Sequence, residues 1–234
     1  MFKVIDDNKL NYYIKKYNIN DIFSNDMKKY MEIHHFKKNE HICSAGEELK
    51  YLYFFIDGRA KVYITAPNGK SLLIRFYSPI QIIGDTEILN NTNIDCNIQA
   101  VEDCICIAIL REVIEEIALK DPKFLYYTCK QLAFKLSSAS LSSSINMLYP
   151  LENRLASYIL ATYATEYSHD SNSDNLTHVS ELLGTSYRHL LRVLDKFSSE
   201  GMIRKDGKDI TILDLEKLES RIVAMSFCEP RSCS

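Results

Sequence analysis

Between Pro122 and Pro150 the chain runs through 27 consecutive residues that include neither proline nor glycine. No other feature restricts the fold as strongly. With Asp121-Pro122 as a start signal and Pro150 as a stop, one uninterrupted helix is the expected product. Leu125, Cys129, Leu132, Leu136 and Ala139 recur along it at steps of four and three, a heptad-like seam, while Phe134, Leu141, Ile145 and Leu148 make a second apolar stripe. Two stripes need two partners. A parallel homodimer is the natural use of the first, and docking onto a neighbouring domain is the natural use of the second. The run from Ser137 to Ser144 has the composition of a flexible linker. Helix is preferred there because the apolar spacing continues through it to Leu148, and small residues let two helices approach closely.

On the N-terminal side of this helix the sequence alternates and turns. Tyr51–Ile56, Ala60–Ile64 and Ser71–Tyr77 are β-rich runs separated by Asp57-Gly58 and Pro67-Asn68-Gly69, at about ten-residue spacing. That pattern describes a compact β-barrel or roll from Glu32 to about Leu110. Its last strand, Cys104–Ile109, sets cysteine and alanine on one face against isoleucine on the other, so both faces are expected to be buried.

On the C-terminal side the pattern is helical. Leu151 to Tyr167 reads as a helix and Ser168–Asn175 as a polar loop. Thr177 is expected to cap a short helix through Leu183, with Gly184 ending it and Ser186 capping the next. In that next helix Leu190, Val193, Leu194 and Phe197 share one face, while Arg188, Arg192 and Asp195 gather on the opposite one. Two helices joined by a glycine-containing turn form a helix-turn-helix, and Met202–Leu213 adds a hairpin around Asp206-Gly207, the wing.

A net charge of −3 does not exclude nucleic acid, because placement matters more than the average. From Ser186 to Lys208 six basic residues stand against three acidic ones, a local +3 that leaves −6 on the remainder. A basic C-terminal patch on an acidic body attracts a polyanion in one orientation. Seven scattered cysteines with no C-x-x-C pair indicate neither a disulfide framework nor a zinc site. The absence of a long apolar run or signal peptide leads to the expectation of a cytoplasmic protein without membrane contact.

β-Roll, long helix and winged helix-turn-helix in this order resemble the Crp/Fnr family of bacterial transcription regulators over nearly the whole chain. The landmarks are Gly46, Leu52–Gly58, Asn68-Gly69, Ile83–Leu89, Asn153-Arg154-Leu155 and Leu183–Arg188 with Arg192. The segment from Leu183 to Phe197 is most similar to the YeiL-type branch. The resemblance implies an α+β chain with a cyclic-nucleotide-binding-like β-roll (double-stranded β-helix) over residues 1–120, a dimerisation helix over 121–149 and the winged helix-turn-helix over 150–234. It further implies double-stranded DNA with an inverted-repeat operator, a second copy of the chain and RNA polymerase as partners, and no cofactor, metal or catalytic residue. Ser186, Tyr187, Arg188 and Arg192 are then the expected DNA-reading residues, with Lys205 and Lys208 on the wing. Gly84, Asp85, Thr86, Glu87, Asp95 and Cys96 are the expected effector pocket.

Two departures from the family stand out. Its base-reading positions carry arginine, glutamate and arginine, whereas Tyr187, Arg188 and Arg192 stand here, which removes an acceptor for cytosine and adds a donor for guanine. Its cyclic-nucleotide binders follow the Gly-Glu turn with an Arg-Ser/Thr pair that grips phosphate, whereas Ile94-Asp95 stands here. The expected effector is therefore an unidentified small molecule other than a cyclic nucleotide, although backbone amides after Gly84 could still nest an anion. No cysteine precedes Cys43, so the N-terminal cluster of iron–sulfur relatives is missing, and Cys104 and Cys106 read as buried filler. The alternatives are a stand-alone cyclic-nucleotide-type module and a cupin-like metal enzyme using His34-His35 and Glu40. Adjacent histidines on a strand point to opposite faces and cannot share one ion, so surface or loop positions are expected for both.

Overall fold

The computed structural model describes residues 1–69, 71–77, 79–163, 176–206 and 209–222. Lys208 and Gly207 of the expected wing turn, residues 164–167 of the expected helix from Leu151, the expected polar loop 168–175, and Cys228 and Cys233 lie outside these residues. The chain packs as two compact units, Met1–Ile64 with Ile74–Ser137, and Thr65–Leu73 with Ser138–Ser234.

In the first unit a five-stranded sheet has the order β1 (Phe2–Val4), β2 (Met31–Phe36), β9 (Cys104–Leu110), β4 (Tyr51–Asp57), β7 (Gln81–Ile83). A four-stranded sheet has the order β3 (His41–Cys43), β8 (Asn97–Ala100), β5 (Ala60–Thr65), β6 (Ser71–Tyr77). Consecutive strands β4 and β5 thus lie in different sheets: the Asp57-Gly58 turn carries the chain from one to the other and closes no hairpin. Gly58 is obligatory there, with φ +90 and a Cβ that would stand 2.5 Å from the Asp103 carbonyl oxygen. Strand β9 lies between β2 and β4, and Cys104 through Ile109 are all buried, as expected for a strand covered on both faces. One core joins both sheets, with Phe36, Phe54, Phe55 and Ile107 at its centre.

An N-terminal helix without a family landmark, α1 (Asp7–Lys16), starts at Asp6, whose carboxylate accepts from the Lys9 amide, and buries Leu10, Tyr13 and Ile14. His34 corrects the expected surface position: it is 1% exposed, its Nε2 3.3 Å from Glu32 Oε2. Burial holds its imidazole below the ordinary value, partly offset by Glu32. His35 faces the other way toward Asp103, 3.7 Å distant. Among the described residues no group of three or more His, Cys, Asp or Glu could hold a metal ion, and no helix is long and apolar enough to cross a membrane.

After the short helices α2 (Asp85–Asn90) and α3 (Arg111–Glu116), α4 spans Pro122–Leu148 without a break, so the Ser-rich run is helical. Asp121 caps it, accepting from the Ser24 amide and hydroxyl at 2.6 and 2.7 Å and from the Lys123 amide at 3.0 Å. Burial alone would raise this carboxyl; the hydrogen bonds hold it below the usual range. The covered face of α4 is Phe124, Thr128 and Gln131, continued by largely covered Lys135. This departs from the expected second stripe, whose Leu148 is 75% exposed. Of the first stripe, Leu125, Cys129 and Leu136 are exposed, and Leu132 and Ala139 half-buried.

The second unit contains α5 (Leu151–Tyr163), α6 (Leu176–Leu182), α7 (Tyr187–Ser199), the antiparallel pair β10 (Ile203–Asp206) and β11 (Asp209–Ile212), and α8 (Leu215–Glu219). Helix α6 begins at Leu176, one residue before the expected cap Thr177, which lies inside it. Leu155, Ile159, Leu182, Leu190, Leu194, Phe197, Met202 and Leu218 form the buried interior.

Candidate functional site

Helix α7 starts where Ser186 turns extended, at φ −80 and ψ 145, and its hydroxyl accepts from the His189 amide at 3.2 Å. Leu190, Val193, Leu194 and Phe197, at most 5% exposed, fix the inward face. Ser186, Tyr187, Arg188 and Arg192 therefore share exposure at the start of the helix, with the two arginines one turn apart. Arg154 of α5 locks the preceding turn, its Nη1 donating to the Leu183 carbonyl at 2.5 Å, and burial lowers the guanidinium below its ordinary value.

The remaining basic residues of the patch differ in what they hold. Lys196 reaches back to Glu152 at 2.7 Å. Lys205 is half-buried, 3.6 Å from Asp195, so one expected wing contact sits beside a carboxylate. Arg204, one of the six basic residues of the patch but not among the expected DNA contacts, is exposed on the other face of β10, as strand alternation next to Lys205 dictates.

A second site lies in the β-roll, where a cavity of about 70 Å³ is lined by Gly84, Asp85, Thr86, Glu87 and Cys96. These are five of the six expected residues. Asp95 is exposed and absent from the lining; its backbone amide serves the Glu87 carboxylate, while Ile94 turns inward to the core. Gly84 sets the geometry, because at φ +97 a Cβ would stand 2.7 Å from Leu49 Cδ2.

Two cations complete the cavity without a local signature. Arg75 of β6 donates from Nη2 to the Tyr77 hydroxyl at 2.8 Å, its guanidinium carbon 4.6 Å from that ring's centroid. Lys135 of α4 donates to Asp85, a pair whose side chains are 11% and 1% exposed. Burial pushes the Tyr77 phenol up against the pull of Lys135 and Arg75, and burial followed by Asp85 raises the Glu87 carboxyl. The Cys43 thiol, also in the lining, is pushed up to about 12 by burial, and Cys96 is raised the same way, so both stay protonated at neutral pH. A larger open depression of about 350 Å³ lies by Asn91 and Arg111, where Arg111 is already held by Glu115 and Asn91.

A β-roll followed by a long helix and a winged helix-turn-helix whose second helix exposes arginines is the architecture of a ligand-domain transcription regulator. Residues 33–121 match the cyclic nucleotide-binding domain family and residues 153–221 the Crp-like helix-turn-helix domain. Regulatory protein YeiL of Escherichia coli O157:H7 is 31% identical over 205 residues, covering 88% of this chain and 92% of that protein. The chain belongs to the Crp/Fnr family of transcriptional regulators, and its helix-turn-helix is a DNA-binding domain. Regulatory protein HlyX of Actinobacillus pleuropneumoniae is 25% identical over 193 residues, 78% of each chain. In fold the chain resembles a Crp/Fnr-family transcriptional regulator from Eubacterium rectale, with a TM-score of 0.72 and 21% identity over 83% of this chain and 91% of that one. FixK2 from Bradyrhizobium japonicum gives 0.61 and 16% over 84% and 99%.

Proposed function

We propose that the protein is a cytoplasmic, homodimeric regulator that reads an inverted-repeat operator in double-stranded DNA with α7 and adjusts that binding to a small-molecule effector in the β-roll. The observation that carries the reading is the division of α7 into a fully packed face and an exposed face bearing Ser186, Tyr187, Arg188 and Arg192. Arginine one turn apart at the start of such a helix suits bidentate contact with guanine O6 and N7 in the major groove. Lys205 and Lys208, joined by Arg204, contact phosphate from the wing.

Dimerisation uses residues 121–149, between an effector domain over 1–120 and a DNA-binding domain over 150–234. It is supported by the exposed seam of Leu125, Cys129 and Leu136 with half-buried Leu132 and Ala139. The effector is not a cyclic nucleotide: the position of the family's phosphate grip holds buried Ile94 and exposed, acidic Asp95. RNA polymerase is the further partner expected of such a regulator, and no catalysis is assigned to the chain.

Selection of bound sites from random DNA by the full chain tests the reading. Inverted half-sites whose centres lie about 34–36 Å apart, one turn of DNA, are expected. Recovery of single asymmetric sites, or of no enriched sequence, refutes it.

A further inference from the structure

The β-roll cavity has a size, a guanidinium in its lining and two unmet hydrogen-bonding atoms, and together they narrow the effector's chemistry. Sites for drug-sized ligands and cofactors occupy roughly 300–1,000 Å³, far above the 70 Å³ found here. An engineered apolar cavity of about 150 Å³ accepts benzene, with its six ring atoms, so about half that volume accommodates on the order of three or four non-hydrogen atoms. The occupant is small.

Its polarity follows from the lining. Arg75 Nη1 is buried and has no acceptor, and Asp85 Oδ2 is buried and has no donor, although each residue's other terminal atom is engaged. Asp85 is 2% exposed. Lys135 and Asp85 are paired with each other, and Arg75 Nη1 is the cationic donor of the lining that is left without an acceptor. The guanidinium is held in place by the Tyr77 hydroxyl and ring before any ligand arrives. A cation would be repelled by it, and an apolar occupant would leave both atoms unpaired.

We propose that this cavity is a receptor for one small planar oxyanion of three or four non-hydrogen atoms, the class of formate, nitrate and hydrogen carbonate, gripped by Arg75 beside the Lys135–Asp85 pair. The inference rests on reading the β-roll as the effector domain. Within the class, hydrogen carbonate alone both accepts from Arg75 and offers an O–H to Asp85 Oδ2, whereas formate and nitrate bring only acceptors at neutral pH.

Isothermal titration of the full chain with the sodium salts of the three anions, against sodium chloride at equal ionic strength, tests this, with benzoate and cyclic AMP as oversized probes. Saturable binding of at least one small anion is expected, weakened at least tenfold in Arg75→Gln, and neither oversized probe should bind. Hydrogen carbonate binding more tightly than nitrate, with the difference removed in Asp85→Asn, identifies Asp85 as the acceptor. The proposal is overturned if no anion titrates beyond chloride, if a folded Arg75→Gln binds like the parent, or if benzoate or cyclic AMP binds as tightly. Should Arg75→Gln fail to fold, the size series on the parent chain decides alone. DNA retardation run in parallel separates the two readings: a chain that retards operator DNA but binds no small anion refutes only the receptor, and one that binds the anion but no DNA refutes only the operator reading.

Discussion

Replacing Leu136 and Leu125 separately by alanine tests the dimer seam quantitatively, because the two residues start from different exposures. Leu136 is 73% exposed in the single chain and Leu125 37%, so a partner helix can cover about twice as much of the former. Leucine to alanine removes about three methyl or methylene groups at ~0.8 kcal/mol each when fully buried, ~2.4 kcal/mol in all. Scaled by exposure, Leu136→Ala loses ~1.8 kcal/mol per protomer and Leu125→Ala ~0.9 kcal/mol. A two-fold interface counts each twice, and at ~1.4 kcal/mol per decade the dimer dissociation constant should rise about three-hundredfold for Leu136→Ala and about twentyfold for Leu125→Ala. Sedimentation velocity over a dilution series measures both. Thermal unfolding should rank them oppositely, since Leu125 buries more of itself within its own chain. A dissociation constant within threefold of the parent for Leu136→Ala, or a larger effect from Leu125→Ala, would refute the assignment of this stripe.

Leu132→Glu, which places a charge without a partner in the same seam, should yield monomer at all accessible concentrations by the same measurement. Arg188→Ala and Arg192→Ala should each cost about 1–3 kcal/mol and relax preference at particular base pairs. Lys205→Ala should weaken all sequences alike and lower the salt slope by about one unit, less if Asp195 already holds it; quantitative retardation across salt concentrations checks both. Cyclic AMP at a hundred times a hypothetical dissociation constant would add about 2.7 kcal/mol of stability; no melting shift is expected, and a saturable one at micromolar nucleotide would contradict the account of Ile94 and Asp95. Glu87 is raised in the folded state, chiefly by burial, so the folded chain binds its proton more tightly and stability falls as pH rises from about 4.5 through the folded value. Glu87→Gln should therefore be more stable than the parent at neutral pH and lose that advantage below about pH 4.5, as followed by denaturant unfolding.

What was legible in the sequence was mostly local. The start of α7 could be placed because Gly184 and Ser186 carry turn and cap chemistry within three residues, and its inward face because Leu190, Val193, Leu194 and Phe197 keep one helical period. The length of α4 followed from the lack of any breaker between two prolines, which outweighed serine composition. His34 was not legible in this way. The two adjacent histidines are both expected at surface or loop positions, yet β2 pairs with both β1 and β9, and its inward side is closed by Tyr51 and Tyr53, rings 4.8 and 5.7 Å from the His34 imidazole. The second stripe of α4 misled for another reason: an apolar count cannot register Thr128 and Gln131, polar residues at most 8% exposed, as part of the covered face.

Arg75 and Lys135 show why the cavity was only half readable. Gly84 to Glu87 are contiguous and begin with a glycine whose φ of +97 strains any other side chain. Arg75 lies in a strand whose neighbours alternate unremarkably, and Lys135 is fifty residues from the aspartate it meets. Neither position has a spacing rule, because the contact exists only once α4 covers the roll. A reading confined to Asp85, Glu87 and Asp95 therefore gives an acidic site that should repel anions. Adding Arg75 and Lys135 and removing exposed Asp95 sets two cations against the two carboxylates of Asp85 and Glu87. The charge that the cavity presents to an effector is thus set by the tertiary fold, and substitution at Arg75, which lines the cavity, should alter it more than substitution at Asp95, even though Asp95 is the position that departs from the family pattern.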